Sequence, residues 1–339
     1  MVGTTLGMTK DYNTSSVPQK AAVQLSLEFI EEGVNALDVN SVNIIADFGS
    51  SQGINSIYAM KSIIDYLRKT NKIVKEPLVV HNDLPTNDWT SLFKLLVEDN
   101  SYNGVASGRS FYEKCLPNNS LSIGYSSSSL HWLSKKPCNI SGHCRVDLIR
   151  NPKEYQIFKQ QSYLDYSEFL KHRSCELVSG GVLIFTILCI NHQRTTGLED
   201  LQELLYKCAQ LLPFTPQELV DFTFPGYCRS YDECLDQNLF NQYSFQLIKS
   251  KFVSVPSPHF QQWKKEEITF EKFVHLTTSF VRSWSESIIE QALINNGRTQ
   301  ADISEILKQF WNLYEEKLSE HPDLGDFFAE YVYVILKKN

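Results

Sequence analysis

A short apolar segment followed by two glycines places the strongest constraint on the fold. Residues 42–46 are apolar except for Asn43, Asp47 follows them, and Gly49 and Gly53 precede a predicted helix over Ile54–Lys69. A strand, a glycine turn and a helix in this order let the backbone approach a ligand and present N–H groups at the helix start. The glycine spacing differs from the G-x-G-x-x-G of dinucleotide-binding folds, and an ordinary strand-to-helix turn is the alternative interpretation.

The order of strand and helix recurs along the first half of the chain. Apolar runs predict further strands, and helical spacing predicts further helices, with strands at 78–81, 105–111, 120–125 and 182–190 and helices at 88–97 and 154–176. Polar residues follow several of these strands: Asp47, Asp83, Ser110 and residues 126–129. Because ligands of such sheets bind beyond the carboxyl ends of the strands, the sequence predicts an α/β fold with its site at this edge.

The second half mixes helices with two more strands. We predict an N-terminal extended arm over residues 1–19, one helix over 21–37, helices at 197–212, 215–220, 270–295 and 301–319, and strands at 244–255 and 327–336. These elements indicate an arm and core over residues 1–195. Residues 196–339 are predicted to form a helical cap whose two strands return to complete the core sheet.

Charge and composition exclude several classes of partner. The chain has 32 basic and 39 acidic residues and a net charge of −7, which disfavours nucleic acid and an anionic membrane as partners. No apolar run approaches the ~20 residues of a membrane span, and the N-terminal residues lack the apolar segment of a secretory signal. We therefore expect a cytoplasmic protein whose eight dispersed cysteines are reduced. Cys138, His143 and Cys144 are interpreted as coincidence, since no second cysteine pair supports a metal site.

Six ordered motifs together resemble a known family. They are Tyr12-x-x-x-Ser16-x-x-Gln19, the segment 46–55 (ADFGSSQGIN), the segment 82–88 (NDLPTND), Gly108-x-Ser110-Phe111-Tyr112, the segment 129–134 (SLHWLS) and Ser179-Gly180-Gly181. The chain resembles the SABATH family of S-adenosylmethionine-dependent carboxyl methyltransferases, the salicylic acid, benzoic acid and theobromine group. The resemblance implies a Rossmann-like class I methyltransferase core with a helical cap, S-adenosyl-L-methionine as cofactor, a small-molecule carboxylic acid as substrate, and a homodimer.

The resemblance also implies roles for individual residues. Matched positions around the cofactor are Tyr12, Ser16, Asp47, Gly49, Ser50, Asn55, Asp83, Leu84, Ser110, Phe111 and Ser127, among which Asp83 matches a ribose contact and Phe111 the adenine end. Gln19 and Trp132 match the pair that holds the substrate carboxylate, and His131 and Ser128 match positions beside the substrate.

The chain departs from the family pattern at several of these positions. Ser50 stands where the family usually has Cys, and Ile54 where it has Pro. Ser128 stands where the family has a Tyr that borders both cofactor and substrate, so the pocket of this chain is expected to have a different shape. Some members bind magnesium near a D-x-F-N-x-P segment; residues 220–225 lack its acid and its Asn at the matching places, and we predict no metal.

The predicted reaction is in-line transfer of a methyl group to an ionised carboxylate. A carboxylic acid with a pKa near ~4 is already deprotonated at neutral pH, so positioning suffices and we assign no catalytic acid or base. Three alternatives stay open: a nicotinamide dehydrogenase, an N-methyltransferase of a heterocycle on the same scaffold, and a catalytically impaired cofactor-binding protein. Phe222, Phe224 and Tyr227 either line the substrate pocket or belong to an aromatic core, and a core is the commoner role of such residues.

Overall fold

One sheet of eight strands organises the protein. The computed structural model describes residues 7–9, 12–73, 75–149 and 151–339. The strands are β1 (Ile44–Phe48), β2 (Leu78–Asp83), β3 (Gly104–Gly108), β4 (Leu121–Ser127), β5 (Leu177–Ile190), β6 (Arg229–Ser230), β7 (Phe245–Pro256) and β8 (Phe328–Lys338). Their order is β3-β2-β1-β4-β5-β8-β7, and the short β6 pairs with the end of β5.

The directions and order of the strands indicate where a ligand would bind. Strands β1 to β5 pair in parallel, whereas β8 runs antiparallel to β5 and β7 antiparallel to β8. The chain proceeds from β1 outward to β3 and then returns to β4 on the other side of β1. This reversal makes the carboxyl ends of β1 and β4 the topological switch point, where open α/β sheets bind their ligands.

Helices cover the sheet and form a further layer beyond it. They are α1 (Tyr12–Ser15), α2 (Val17–Leu25), α3 (Leu27–Ala36), α4 (Ile54–Lys69), α5 (Trp89–Asp99), α6 (Pro152–Glu176), α7 (Glu199–Leu211), α8 (Pro216–Asp221), α9 (Tyr231–Cys234), α10 (Gln237–Gln242), α11 (Pro258–Lys264), α12 (Phe270–Asn295) and α13 (Gln300–Glu320). Two 3₁₀ turns occupy Val146–Leu148 and Pro322–Gly325. In the described part of the chain, none of the helices has the length and apolar character needed to cross a bilayer.

The long apolar strand β5 shows how the core is divided. Ile184 and Leu188 belong to one buried cluster, and Phe185 and Ile187 belong to a second cluster on the opposite face of the sheet. Successive side chains of a strand point to opposite faces, so a continuous apolar run requires cover on both. The prediction of an α/β fold with a doubly covered strand is confirmed.

The N-terminal arm differs from its prediction. Residues 12–19 are not extended, since they form α1 and the first part of α2, and the predicted helix over 21–37 is divided into α2 and α3 at Ser26. Ser26 is buried, its hydroxyl donates to the Val23 carbonyl at 2.7 Å, and it also hydrogen-bonds the Tyr125 hydroxyl at 2.9 Å. The remaining arm residues, 1–6 and 10–11, lie outside the described part of the chain.

Candidate active site

Three adjoining cavities lie at the carboxyl ends of β1, β2 and β4. We call them the inner cavity, lined among others by Asp47, Ser50, Asn55 and Ser127; the outer cavity, lined by Gly49, Asp83, Leu84, Ser110 and Phe111; and the cap cavity, lined by Gln19, Ser128, His131 and Trp132. Tyr12 borders all three. The cavities therefore form one connected candidate site around this side chain.

The glycine turn forms the floor of the inner and outer cavities. Gly49 has φ +98°, and a Cβ atom there would lie 2.1 Å from Ser129 Oγ, so only glycine fits this position. The N–H groups of Gly49 and Ser50 both donate to the Asn82 carbonyl, at 2.9 and 3.0 Å. These bonds join the end of β1 to the end of β2 and bring the segments after the two strands together.

Asp83 is a fixed acceptor on the outer cavity. Its Oδ2 accepts from the Ser51 N–H and its Oδ1 from the Leu84 N–H, each at 2.7 Å. Burial raises the pKa of Asp83, and these two backbone donors lower it. Because each carboxylate oxygen can accept a second hydrogen bond, both remain able to accept from hydroxyl groups of a ligand.

Polar atoms around the inner cavity lack protein partners. Asp47 is buried with Oδ1 unpaired, and burial raises its pKa to about 7, the Ser56 hydroxyl lowering it and Asp83 raising it further. Other buried atoms without partners at this cavity are Gln19 Oε1, Ser50 Oγ, Ser51 Oγ and Asn55 Oδ1. Buried polar atoms in proteins are normally hydrogen-bonded, so this cluster is suited to a polar ligand that completes the bonds.

The loop that carries Ser110 and Phe111 is held by a buried ion pair. Arg173 Nε lies 2.7 Å from Glu176 Oε2, and both side chains are inaccessible to solvent. The Arg173 guanidinium donates to the carbonyls of Phe111 and Glu113, and Glu176 accepts from backbone N–H groups at the other end of the loop. The aromatic ring of Phe111 is thereby presented to the outer cavity on a rigid support.

The segment after β4 separates the outer cavity from the cap cavity. Ser128 has φ +56°, and its hydroxyl lies 3.3 Å from the Tyr331 hydroxyl on β8. Trp132 pairs with Gly226 in an isolated bridge, and its ring packs against Phe224. No hydrogen bond joins the Trp132 indole N–H to the described residues, so this donor is available to a ligand.

His131 lies beside Trp132 and is uncharged at ordinary pH. Its pKa is lowered to about 3 by burial first, and then by the positive charges of Arg145 and Arg229. A neutral imidazole with so low a pKa is a weak base. His131 is therefore poorly suited to act as a general base.

The N-terminal helices α1 and α2 cover the site on the side of the glycine turn. The Asn13 side chain accepts from the Ile54 N–H at 3.2 Å and donates to the Gln52 carbonyl at 3.1 Å, so α1 is bound to the glycine turn. Asn55 donates to Ser16 Oγ at 3.0 Å, and Ser16 lines none of the three cavities. Ser16 therefore supports Asn55, while every other residue assigned from the resemblance to cofactor or substrate borders a cavity.

Sequence reasoning missed several residues of the site. Ser51, Arg145, Gln202, Trp284 and Tyr331 line the cavities. Ser51 lies inside the glycine motif and could have been noted there, whereas the other four have no local pattern that marks them.

Three aromatic residues whose role was open from the sequence belong to the core. Phe222, Phe224 and Tyr227 are at most 1% exposed and line none of the three cavities. Phe224 supports the site from behind, since it packs against both Trp132 and Trp284.

The fold and the site together define a class of protein. A parallel sheet with its switch point between β1 and β4, an antiparallel β7–β8 pair at one edge, and acids at the ends of β1 and β2 are the features of a Rossmann-like nucleoside-binding α/β protein. Comparison with known sequences gives the family. Residues 6–339 match the profile of the SAM dependent carboxyl methyltransferases, and the chain belongs to this family, the SABATH group.

Individual relatives agree with this assignment. The chain is 30% identical to a probable S-adenosylmethionine-dependent methyltransferase of Arabidopsis thaliana over 96% of this chain and 94% of the relative. It is 33% identical to the farnesoic acid carboxyl-O-methyltransferase of the same plant over 66% of this chain and 70% of the relative. A solved loganic acid methyltransferase with SAH superposes with a TM-score of 0.81 at 24% identity, covers 99% of both chains, and shows the same fold.

The predicted family, fold, enzyme class and cofactor are thus confirmed, and the nicotinamide dehydrogenase alternative is wrong. The residues present also fit S-adenosylmethionine. Asp83 offers two acceptor oxygens for hydroxyl groups, and the unpaired Asp47 oxygen offers an acceptor for a cationic ligand group.

Proposed function

We propose that this protein transfers a methyl group from S-adenosylmethionine to an oxygen of a small-molecule carboxylic acid and releases the methyl ester. The observation that carries the proposal is the junction between the cavities. Gln19 and Tyr12 border both the inner and the cap cavity, and Ser128 and Trp132 border both the outer and the cap cavity. A substrate in the cap cavity would therefore meet the cofactor between an amide and an indole.

The proposed contacts of the cofactor follow the sheet edge. Asp83 accepts from the ribose hydroxyls, and Leu84, Ser110 and Phe111 enclose the adenine. The rest of the cofactor lies against Tyr12, Asp47, Gly49, Ser50, Asn55 and Ser127, with Ser16 holding Asn55 in place. When bound, S-adenosylmethionine supplies the activated methyl group.

The protein contributes positioning rather than proton transfer. A carboxylate is already ionised at neutral pH, so the chain need not remove a proton. The Gln19 amide and the Trp132 indole N–H are neutral donors, which orient a carboxylate without opposing the loss of its charge in the transition state. The low pKa of His131 and the burial of the site agree with in-line transfer in a position protected from water.

A direct assay tests the proposal. The protein is incubated with methyl-labelled S-adenosylmethionine and a panel of aliphatic, aromatic and cyclic carboxylic acids, and base-labile label is measured. We expect ester with the wild-type protein and a loss of turnover in Trp132→Ala and Gln19→Ala, while calorimetry shows that both variants still bind S-adenosylhomocysteine. Trp311→Phe, a buried tryptophan in α13 that lines none of the three cavities, is the matched control.

Other outcomes point to other functions. Base-stable label on a heterocyclic nitrogen, with none on any acid, would identify an N-methyltransferase. Tight cofactor binding without transfer to any acceptor would identify a cofactor-binding protein, the alternative that Ser128 suggested.

Three further proposals accompany this function, of which the dimer follows from the family resemblance. The protein acts in the cytoplasm, it forms a homodimer, and residues 196–339 form a cap on the core of residues 1–195. The packing of α12 against α8, α11 and α13 supports the cap as a coherent layer, while β7 and β8 lie in the core sheet. Light scattering of the purified protein measures the dimer, and a monomeric mass at micromolar concentration would contradict it.

A further inference from the structure

The cap cavity has a polar end that the carboxylate-holding pair does not account for. Arg145 and Gln202 line this cavity, each 3% exposed, and each has a buried polar atom without a hydrogen-bond partner: Arg145 Nε and Gln202 Oε1. His131 Nδ1, in a side chain 9% exposed on the same cavity, is also unpaired. Much of the remaining wall is apolar, including Leu188, Leu198, Val255, Phe280 and Trp284.

These unpaired atoms come from separate parts of the chain. Arg145 precedes the 3₁₀ turn Val146–Leu148, Gln202 lies in α7, and His131 follows β4. Unpaired buried donors and acceptors are uncommon in folded proteins, because each costs free energy. Several of them around one cavity indicate that a bound molecule supplies the partners.

The charge of Arg145 is already compensated within the protein. Its Nη2 lies 2.6 Å from Asp147 Oδ2, and both side chains are 4% exposed. The same nitrogen donates to Cys228 Sγ at 3.4 Å, and the guanidinium lies over the Phe224 ring. A second anion would leave an uncompensated negative charge in this enclosed place, which is costly. The free Nε–H is therefore suited to a neutral acceptor.

Arg145 Nε and Gln202 Oε1 have complementary hydrogen-bonding chemistry. Arg145 Nε can only donate, and Gln202 Oε1 can only accept. A hydroxyl group does both. We propose that the acid methylated by this enzyme carries a hydroxyl group remote from its reacting carboxyl, and that Arg145 and Gln202 recognise it; this inference rests on the proposed function. It assigns the apolar wall to the carbon skeleton between the two oxygen functions.

The test uses matched pairs of acids that differ by one hydroxyl group. The pairs are cinnamic and para-hydroxycinnamic acid, octanoic and terminal-hydroxy octanoic acid, and decanoic and terminal-hydroxy decanoic acid. The measured quantity is the ratio of kcat/KM for the hydroxylated acid to kcat/KM for its parent. We expect this ratio to be at least about tenfold for the best-fitting pair, because a site with unpaired polar groups discriminates against a ligand that cannot complete them.

Variants connect this preference to the named residues. Gln202→Leu, of similar volume, and the charge-balanced double variant Arg145→Met with Asp147→Asn should each lower the ratio toward one, mainly through KM. Gln202→Glu keeps acceptor oxygens and should retain the preference. Leu198→Val changes the apolar wall of the same cavity and should alter both members of a pair in similar proportion.

The outcomes separate this inference from the proposed function. Ester formation with a ratio near one in every pair, or a preference that survives Gln202→Leu unchanged, overturns the hydroxyl proposal and leaves carboxyl methylation standing. No ester from any acid, although S-adenosylhomocysteine binds, overturns both.

Discussion

The proposed cofactor end and the proposed substrate end of the site are built from different kinds of element. The proposed cofactor end consists mainly of the carboxyl ends of β1 to β4 and the short segments after them, and backbone hydrogen bonds such as those to the Asn82 carbonyl join the first two. The substrate end draws Gln19 from α2, Gln202 from α7 and Tyr331 from β8, with Arg145 from a loop. In the proposed site, a sheet edge would thus set the position of the cofactor, whereas elements far apart in the chain would decide which acid fits.

The largest loss of cofactor affinity is expected from substitution of Asp83. Asp83→Ala removes the proposed ribose acceptor and also the acceptor of the Ser51 and Leu84 N–H groups, so the dissociation constant for S-adenosylhomocysteine should rise about a hundredfold. Asp83→Asn keeps one acceptor oxygen and should weaken binding about tenfold. Calorimetry measures both. An unchanged affinity in Asp83→Ala would show that the ribose is held elsewhere.

Trp132→Phe is expected to lower kcat/KM for the acid without weakening cofactor binding. This change keeps an aromatic ring against Phe224 and removes only the indole N–H. A hydrogen bond to a charged group contributes about 1.5–3 kcal/mol, so kcat/KM for the acid should fall roughly 10- to 100-fold. The affinity for S-adenosylhomocysteine should stay within about twofold. Equal losses in both measurements would mean that the two ends are not separable.

The pH dependence of cofactor binding tests Asp47. Its pKa is about 7 in the folded protein, and a cationic ligand requires the ionised form. Affinity for S-adenosylmethionine should therefore increase about tenfold as the pH rises from about 6 to about 8, with release of a proton on binding at the lower pH. Calorimetry in buffers of different ionisation enthalpy detects that proton, and Asp47→Asn should abolish the pH dependence.

The raised pKa of Asp47 should also make the stability of the ligand-free protein depend on pH. The unfolded chain ionises Asp near pH ~3.9, whereas burial keeps Asp47 protonated in the folded state up to about pH 7. Below the pKa of the unfolded state, Asp47 is protonated in both states, so its ionisation does not change the free energy of unfolding with pH. Its contribution to the free energy of unfolding therefore falls between about pH 4 and about pH 7 and is constant above. Compared with Asp47→Asn, the wild-type protein should lose stability over this interval; a parallel course of the two denaturation midpoints would contradict the assignment.

The smallest change in kcat/KM is expected for the hydroxyl groups of Ser128 and Tyr331, near the place where the outer and cap cavities meet. The hydrogen bond between Ser128 and Tyr331 is long, 3.3 Å, so Tyr331→Phe and Ser128→Ala should each lower kcat/KM about two- to fivefold and leave cofactor affinity unchanged. If the two hydroxyls act together, the double variant should lose no more than either single variant. Additive losses would show that they contact the substrate independently.

The predictability of the fold follows the length and periodicity of its elements. The bounds of α4 and α12 agree with the sequence expectation, because long amphipathic helices repeat their pattern over several turns. The short elements β6, α9, α10 and α11 were missed, since fewer than about two turns carry little periodic signal. The sequence predicts an extended arm where the structure has α1 and the start of α2, because the supports of this segment, from Asn13 to the glycine turn and from Thr9 to Ser283 of α12, lie far away in the chain.

The sequence by itself predicted the proposed cofactor end, because β1, Asp47 near its end and the glycine turn are contiguous, and their geometry is set by local backbone conformation. Only the tertiary structure brought together the proposed substrate end. Arg145 and Gln202 carry no distinctive pattern in their own segments, and they line one cavity only because the fold brings α7 and the loop before the 3₁₀ turn close to the segment that follows β4. Tertiary packing thus brings together side chains that are distant along the chain, which no local pattern records.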